Sequence, residues 1–272
     1  MVSAVLPMRS AHCMANGIRL HYLDFNSEAA GTQILILPGI TSPAATWAFV
    51  ARRLAENRRV VVPDIRGRGL SENRPGLEYS LGEYAGDAMG LIQALGLDRP
   101  IVIGHSLGAR IATHLATIAS DVVAAMILVD PPLSGPGRAP YPTPVESYLA
   151  AHTAASNGAT IKDFRAFTPS WTEEQIALRL EWLPTCSTEA IIRTHENFHA
   201  EDIFADFPRL ICPTLLMYAT LARVVTPETA AEVTGLLRNG QVARVKAGHM
   251  IPWDNIEDFL AVTWQFLRAV EG

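Results

Sequence analysis

The most constraining stretch of this 272-residue sequence is 101–110, where Gly-x-Ser-x-Gly surrounds Ser106. A short β-branched run precedes the pattern and an apolar run with small residues follows it, which predicts a strand, a sharp turn and a helix. In such a turn the serine stands exposed on a strained backbone, and the flanking glycines let strand and helix pass closely. About one chain in ten of this length carries the pattern by chance, so the rest of the sequence must support it.

Apolar strand patterns alternate with helical patterns along the chain. The predicted strands cover 17–25, 33–37, 60–64, 101–105, 124–129, 213–218 and 241–245, and the predicted helices cover 47–54, 84–95, 111–116, 227–237 and 255–270. This alternation predicts an α/β fold, with a mostly parallel twisted sheet, helices on both faces and ligands at the carboxyl ends of the strands. The first strand, which has a period near two, is predicted to lie at the edge of the sheet.

Residues 133–208 have a different character from the rest of the chain. They contain glycine and proline clusters and helical segments with capping boxes at Thr160-x-x-Asp163 and Thr172-x-x-Gln175, but no comparable strand pattern. We therefore predict one α/β core interrupted by an insertion. The first part of the core is 1–132, a helical cap spans 133–208, and 209–272 completes the core.

Composition excludes several classes of partner. The net charge of −5 argues against general affinity for nucleic acid or an anionic membrane. No apolar run reaches the length of a membrane span, and 1–15 lacks the pattern of a signal peptide. The three cysteines, Cys13, Cys186 and Cys212, are far apart and odd in number, which predicts reduced thiols and a cytoplasmic protein. No spacing indicates a metal or a cofactor, and the sequence leaves the oligomeric state open.

A serine hydroxyl is a poor nucleophile at neutral pH and needs a base within hydrogen-bond reach. His249 follows the last predicted strand, at the edge of the sheet where Ser106 is expected. This position makes His249 the preferred base among the eight histidines of the chain.

The acid that orients this histidine is less obvious from the sequence. The segment 219–226, where many hydrolases of this architecture carry it, contains no carboxylate, and Glu228 lies too far along the chain. Asp130 directly follows the strand expected beside that of the nucleophile and is preferred, although an aspartate there also suits a cap of the Pro-Pro turn. Asp64, after a strand on the other side, is the weaker rival. For the oxyanion, the backbone N–H groups of Ile40 and Leu107 are the expected donors.

Four motifs in this order resemble those of α/β hydrolases over the whole chain. They are Pro38-Gly39, Asp64-x-Arg66-Gly67-x-Gly69-x-Ser71, Gly104-His105-Ser106-Leu107-Gly108 and Gly248-His249. Three further runs, 128–138, Trp171-Thr172-x-x-Gln175 and 248–254, resemble the N-formylmaleamate deformylases of aerobic nicotinate degradation. The resemblance implies Ser106, Asp130 and His249 as a catalytic triad without a cofactor. The chain departs from this pattern at 219–223, where a glycine-rich loop is expected to form one wall of the pocket.

The same resemblance implies a small anionic substrate, whose carboxylate calls for an arginine in the pocket. Among Arg138, Arg165, Arg179 and Arg193, we prefer Arg138 and Arg165, although a solvated surface position is as common for each. Three alternatives stay open. They are a 2-(acetamidomethylene)succinate-type amide hydrolase, a carboxylesterase or enol-lactonase, and a non-catalytic relative that only binds a ligand.

Overall fold

The computed structural model describes residues 6–272 of the chain. The prediction that 1–15 lacks a signal peptide therefore falls partly on residues 1–5, which lie outside the described residues. Within it the chain forms one eight-stranded sheet. The strands are β1 (Met8–Ala15), β2 (Ile18–Phe25), β3 (Ile34–Leu37), β4 (Val60–Pro63), β5 (Ile101–His105), β6 (Ala125–Val129), β7 (Thr214–Ala219) and β8 (Gly240–Val245).

The strand order in the sheet is β1-β2-β4-β3-β5-β6-β7-β8. Strand β2 pairs antiparallel with both of its neighbours, and from β4 to β8 every pairing is parallel. The predicted mostly parallel sheet is therefore confirmed. Parallel pairing collects the carboxyl ends of β3 to β8 at one edge, where side chains from separate parts of the sequence meet.

Helices cover both faces of this sheet. They are α1 (Ala48–Leu54), α2 (Leu81–Ala94), α3 (Leu107–Ile118), α4 (Val145–Ser156), α5 (Ile161–Phe164), α6 (Glu173–Trp182), α7 (Thr188–Ala200), α8 (Pro227–Leu236), α9 (Ile251–Asp254) and α10 (Ile256–Glu271). Helices α2, α3 and α8 pack in one apolar core, and α1 and α10 pack in another on the opposite face. Strands β3 to β6 are buried along their whole length because both faces are covered, which explains their unbroken apolar runs.

The prediction that the strand at 17–25 forms the sheet edge is wrong. Strand β1 lies outside β2 and pairs with it over all eight of its residues, Met8 to Ala15. Most of its side chains are exposed or only partly buried, so its sequence carries little of the apolar alternation that marks a strand. Backbone pairing with β2, which the sequence pattern does not display, determines its conformation.

Between β6 and β7 the chain forms helices α4 to α7 and no strand. The two predicted capping boxes are both present, at Thr160 and at Thr172. The insertion touches loops at the carboxyl edge of the sheet, since Ser187 N–H donates to the Gly67 carbonyl at 2.8 Å. Among residues 6–272, no helix is long and apolar enough to cross a membrane.

Candidate active site

Ser106 occupies a strained turn between β5 and α3. Its backbone lies at φ 52° and ψ −115°, outside the region that serine ordinarily adopts. A Cβ on Gly104 would come within 2.3 Å of the Gly108 carbonyl oxygen, and one on Gly108 within 1.9 Å of the Leu37 oxygen. Both glycines are therefore needed for the close approach of strand and helix, as the Gly-x-Ser-x-Gly pattern predicts.

A hydrogen-bonded chain links the serine, a histidine and an aspartate. Ser106 Oγ lies 3.0 Å from His249 Nε2, and His249 Nδ1 lies 2.7 Å from Asp130 Oδ2. A carboxylate only accepts, so Nδ1 carries the proton and the Nε2 lone pair faces the serine hydroxyl. Asp130 is fully buried, and its other oxygen accepts from the Ala219 N–H at 3.2 Å. The geometry is that of a nucleophile, a base and an orienting acid.

The rival carboxylates have other partners. Buried Asp64 accepts from His21 Nδ1 at 2.7 Å and from the N–H groups of Ala44 and Leu70 at 2.6 and 2.9 Å. These contacts tie the loop after β4 to the loop after β3. Glu228 lies in the exposed first turn of α8.

His105, next to the nucleophile, supports the backbone of the histidine loop. Its Nε2–H donates to the His249 carbonyl at 2.9 Å. Burial, together with the nearby His249, lowers the pKa of His105 to about 3. His105 is therefore neutral at working pH and acts as a fixed donor.

The two amides expected for the oxyanion lie beside Ser106. The Leu107 N–H is the first of α3 and has no acceptor within the helix, and the Ile40 N–H belongs to a loop that lines the cavity described below. Neither amide has a hydrogen-bond acceptor among the described residues. The loop that contains Ile40 is anchored by Arg68, whose Nε–H donates to the Ile40 carbonyl at 3.0 Å.

A cavity of about 300 Å³ opens next to Ser106, which is the size of a small-molecule pocket. The core and the insertion share its wall. The core contributes Gly39, Ile40, Thr41, Ser42, His105, Ser106, His249 and Met250, and the insertion contributes Thr143, Ser147, Tyr148, Ala151, Phe164, Phe167, Thr168, Trp171, Arg179 and Leu183.

Arg179 of α6 is the arginine in this wall. Its guanidinium donates to both the carbonyl and the hydroxyl of Thr41, in the loop that carries the Ile40 amide. Within residues 6–272 no carboxylate pairs with Arg179. Burial lowers the pKa of this guanidinium, because its charge loses water that no acid replaces. A cation in this position is suited to an anionic ligand.

The preference for Arg138 and Arg165 as substrate-binding residues needs correction. Arg138 pairs with Glu232 of α8 at 2.7 Å, and Arg165 donates to the Trp171 carbonyl at 3.0 Å. Neither residue lines the cavity. Arg138 follows Asp130 closely in the sequence, but the intervening loop carries it away to α8. The prediction of a carboxylate-binding arginine therefore moves to Arg179.

The runs Trp171-Thr172-x-x-Gln175 and 248–254 meet in space. Trp171 Nε1 donates to Asp254 Oδ1 at 3.1 Å, and Gln175 Nε2 donates to the Trp253 carbonyl at 2.7 Å. The indoles of Trp171 and Trp253 stack with ring centroids 4.4 Å apart. These contacts join the insertion to the segment that directly follows His249. The atypical segment 219–223, in contrast, contributes nothing to the cavity wall.

Two tyrosines close to the histidine are not predicted from the sequence. The Tyr141 hydroxyl oxygen lies 3.4 Å from His249 Nε2 and 3.0 Å from the hydroxyl oxygen of Tyr148. Tyr148 lines the cavity. Their spacing at the start of the insertion is the only signal in the sequence, and it does not distinguish tyrosines at a site from tyrosines in an apolar core.

Comparison with known families gives a match over most of the chain. The alpha/beta hydrolase fold family matches residues 32–256. N-formylmaleamate deformylase of Pseudomonas putida is 44% identical over 254 residues, which cover 93% of this chain and 94% of the relative.

Two solved structures resemble the whole fold. The crystal structure of an N-formylmaleamic acid deformylase from Pseudomonas putida S16 has a TM-score of 0.88 and 44% identity, covering 93% of this chain and 99% of the other. E-2-(acetamidomethylene)succinate hydrolase has a TM-score of 0.78 and 24% identity, covering 96% of this chain and 100% of the other. This second likeness concerns the fold alone.

Proposed function

Because the chain belongs to the alpha/beta hydrolase fold family, we propose that it is a serine hydrolase that converts N-formylmaleamate to maleamate and formate. One observation carries the proposal. The hydrogen-bonded pair of Ser106 and His249 opens into a small cavity in which Arg179 has no acidic partner among residues 6–272. The 44% identical deformylase of Pseudomonas putida supports the choice of substrate.

In the first half of the reaction, Ser106 Oγ attacks the formyl carbon while His249 Nε2 accepts the hydroxyl proton. Asp130, hydrogen-bonded to Nδ1, stabilises the imidazolium. The N–H groups of Ile40 and Leu107 donate to the oxygen that becomes negative in the tetrahedral intermediate.

Collapse of the intermediate breaks the carbon–nitrogen bond. The electron pair goes to the nitrogen, where the second carbonyl of the imide already delocalises it, and His249 returns the proton to that nitrogen. Maleamate leaves and Ser106 remains formylated. Water then attacks the formyl-serine with His249 as the base, and formate is released.

The substrate carboxylate would bind Arg179, which supplies a charge-assisted and planar pair of donors. Its bonds to Thr41 place this cation beside the loop of the Ile40 amide. A single arrangement thus would hold the substrate by its carboxylate end and present the formyl carbon to Ser106. The apolar part of the wall, which includes Phe164, Phe167 and Trp171, would exclude water from the anionic intermediate.

Residues 133–208 would form a cap over this site, between core parts 1–132 and 209–272. Ten of the residues that line the cavity, Arg179 among them, come from 133–208, which supports this division into core and cap. We also propose a cytoplasmic location. All three cysteines are free thiols, which is typical of a reducing compartment.

The test is a substrate panel. We expect the wild-type protein to turn over N-formylmaleamate with a higher kcat/KM than (acetamidomethylene)succinate, enol-lactones or p-nitrophenyl esters. Ser106→Ala should abolish this turnover, because no nucleophile remains. Formate release and loss of substrate absorbance would be measured together.

Other outcomes of the panel point to the alternatives. Turnover of simple esters alone would reject the deformylase and favour a carboxylesterase. A preference for (acetamidomethylene)succinate would favour the second amide hydrolase. Tight binding of N-formylmaleamate without turnover would indicate a ligand-binding protein.

A further inference from the structure

We propose that Tyr148 is a specificity-determining residue, whose hydroxyl donates a hydrogen bond to the same substrate carboxylate that Arg179 binds. The inference deepens the proposed function and rests on it for the place of the carboxylate beside Arg179. The cavity then selects small carboxylates through two donors, a charged guanidinium and a neutral phenol, and not through a single ion pair.

Tyr148 and Arg179 reach the cavity from two helices of the insertion. Tyr148 belongs to α4 and Arg179 to α6, and both line the cavity that opens next to Ser106. The two side chains lie close enough together for the charge of Arg179 to lower the pKa of the Tyr148 phenol. A carboxylate has two oxygens, so it can accept from a guanidinium and from a phenol at the same time.

The hydroxyl proton of Tyr148 is available to a ligand. The Tyr141 oxygen lies 3.0 Å from the Tyr148 oxygen and 3.4 Å from His249 Nε2. The Nε2 lone pair already faces the Ser106 hydroxyl, so Tyr141 donates its proton to Tyr148. This direction agrees with the pKa of Tyr148, which the hydrogen bond from Tyr141 lowers. The proton of Tyr148 itself has no acceptor among residues 6–272.

The Tyr148 phenol is neutral at neutral pH. Burial raises its pKa, and the Tyr141 hydrogen bond and the Arg179 charge offset this effect only in part. An ionised phenol would repel an anion, whereas a neutral phenol donates to it. A hydroxyl that accepts one hydrogen bond becomes a stronger donor of another, so Tyr141 strengthens this contact without lining the cavity itself.

Arg179 retains donors for the same carboxylate. Its guanidinium donates to the carbonyl and to the hydroxyl of Thr41, and a guanidinium has further N–H groups. These further groups have no acceptor in the described part of the chain, 6–272. A ligand carboxylate can therefore bind Arg179 while the bonds to Thr41 stay in place, and its second oxygen remains free to accept from Tyr148.

The experiment measures binding without turnover, by isothermal titration calorimetry of the Ser106→Ala protein. The ligands are maleamate and maleamide, which differ in that a neutral amide replaces the carboxylate. We expect maleamate to bind at least about tenfold more tightly. Adding Tyr148→Phe should raise the Kd of maleamate about ten- to a hundredfold and that of maleamide less than about fivefold, because a hydrogen bond to a charged acceptor contributes more.

Tyr79→Phe in the same Ser106→Ala protein is the matched control. The Tyr79 hydroxyl is buried, has no hydrogen-bond partner among the described residues and does not line the cavity, so both Kd values should stay unchanged. Equal rises for the two ligands in Tyr148→Phe would mean that the phenol only shapes the wall, and would overturn the inference. If Tyr148→Phe does not fold, the Ser106→Ala protein decides, because equal affinity for maleamate and maleamide excludes the anion subsite.

The binding measurements separate this inference from the proposed reaction. A selective loss of maleamate binding in Tyr148→Phe without wild-type turnover of N-formylmaleamate rejects the substrate and retains the role of Tyr148. Turnover of N-formylmaleamate with unchanged maleamate binding in Tyr148→Phe rejects only that role.

Discussion

The sheet edge and the helical insertion hold their functional side chains in different ways. In the core, Ser106 and Asp130 directly follow strands, their backbones lie at φ 52° and 46°, and their side chains are buried. In the insertion, Arg179 and Tyr148 extend long side chains from helices into the cavity and are partly exposed. In the proposed function, the core would therefore supply short, fixed side chains for the chemistry, and the insertion would supply long ones for substrate contact.

Strand register explains how the core achieves this. His105 pairs with Val129 in the parallel ladder between β5 and β6. Ser106 directly follows β5, and Asp130 directly follows β6. The two residues therefore emerge side by side at the carboxyl edge of the sheet. The strained backbone at both positions is stabilised by the surrounding sheet.

The largest expected effect separates a catalytic from a structural carboxylate within the core. Asp130→Asn should lower kcat by about 10⁴-fold, because the amide no longer holds His249 in the productive tautomer. Asp64→Asn should leave kcat within about tenfold and instead lower the free energy of unfolding by about 1–3 kcal/mol, since it disturbs three hydrogen bonds to a buried carboxylate. Steady-state kinetics and urea unfolding of both variants test the contrast.

Glu228→Gln is the exposed control and should change neither quantity. An equal loss of kcat in Asp64→Asn and Asp130→Asn would contradict the assignment of the acid.

An intermediate effect is expected from the insertion. Arg179→Met should lower kcat/KM for N-formylmaleamate about ten- to a hundredfold, mainly through KM, because it removes a charge-assisted pair of hydrogen bonds. Turnover of neutral p-nitrophenyl acetate should change by less than about threefold. The two substrates thus distinguish binding of a carboxylate from support of the Thr41 loop.

Arg138→Met provides the matched control outside the cavity. It breaks only a partly exposed pair with Glu232, and such pairs contribute little. Equal losses with both substrates in Arg179→Met would show that this residue serves the loop alone.

The smallest expected effect concerns His105, which supports the core site without taking part in the chemistry. Its pKa is about 3 in the folded chain against an ordinary value of 6.5, so between these values the unfolded chain binds a proton that the folded chain does not. The free energy of unfolding therefore falls as pH decreases from 6.5 towards 3.

His105→Gln keeps a donor for the His249 carbonyl and removes the titration. The loss of stability between pH 6.5 and pH 5 should be smaller by about 1.5 kcal/mol in this variant. Urea unfolding at a series of pH values measures it, and parallel curves for the two proteins would argue against a neutral buried His105.

The sequence predicted the structure correctly where one strong local pattern was enough. The elbow at Ser106, the alternation of strands and helices and the two capping boxes all depend on neighbours within a few residues. It failed for β1, whose partner strand alone defines it, and for the position of β2 in the sheet. It also favoured Arg138 for its closeness to Asp130 in sequence, which is unrelated to the direction that the loop takes.

The sequence by itself determined the α/β architecture and the strained nucleophile turn, because glycine spacing and apolar periodicity act through local sterics and burial. Only the tertiary structure decided which carboxylate contacts His249, which arginine enters the cavity and which tyrosines approach Nε2. Those contacts join residues more than a hundred positions apart, such as Asp130 and His249. They depend on strand register and on how the insertion packs over the sheet, and neither leaves a local pattern in the chain.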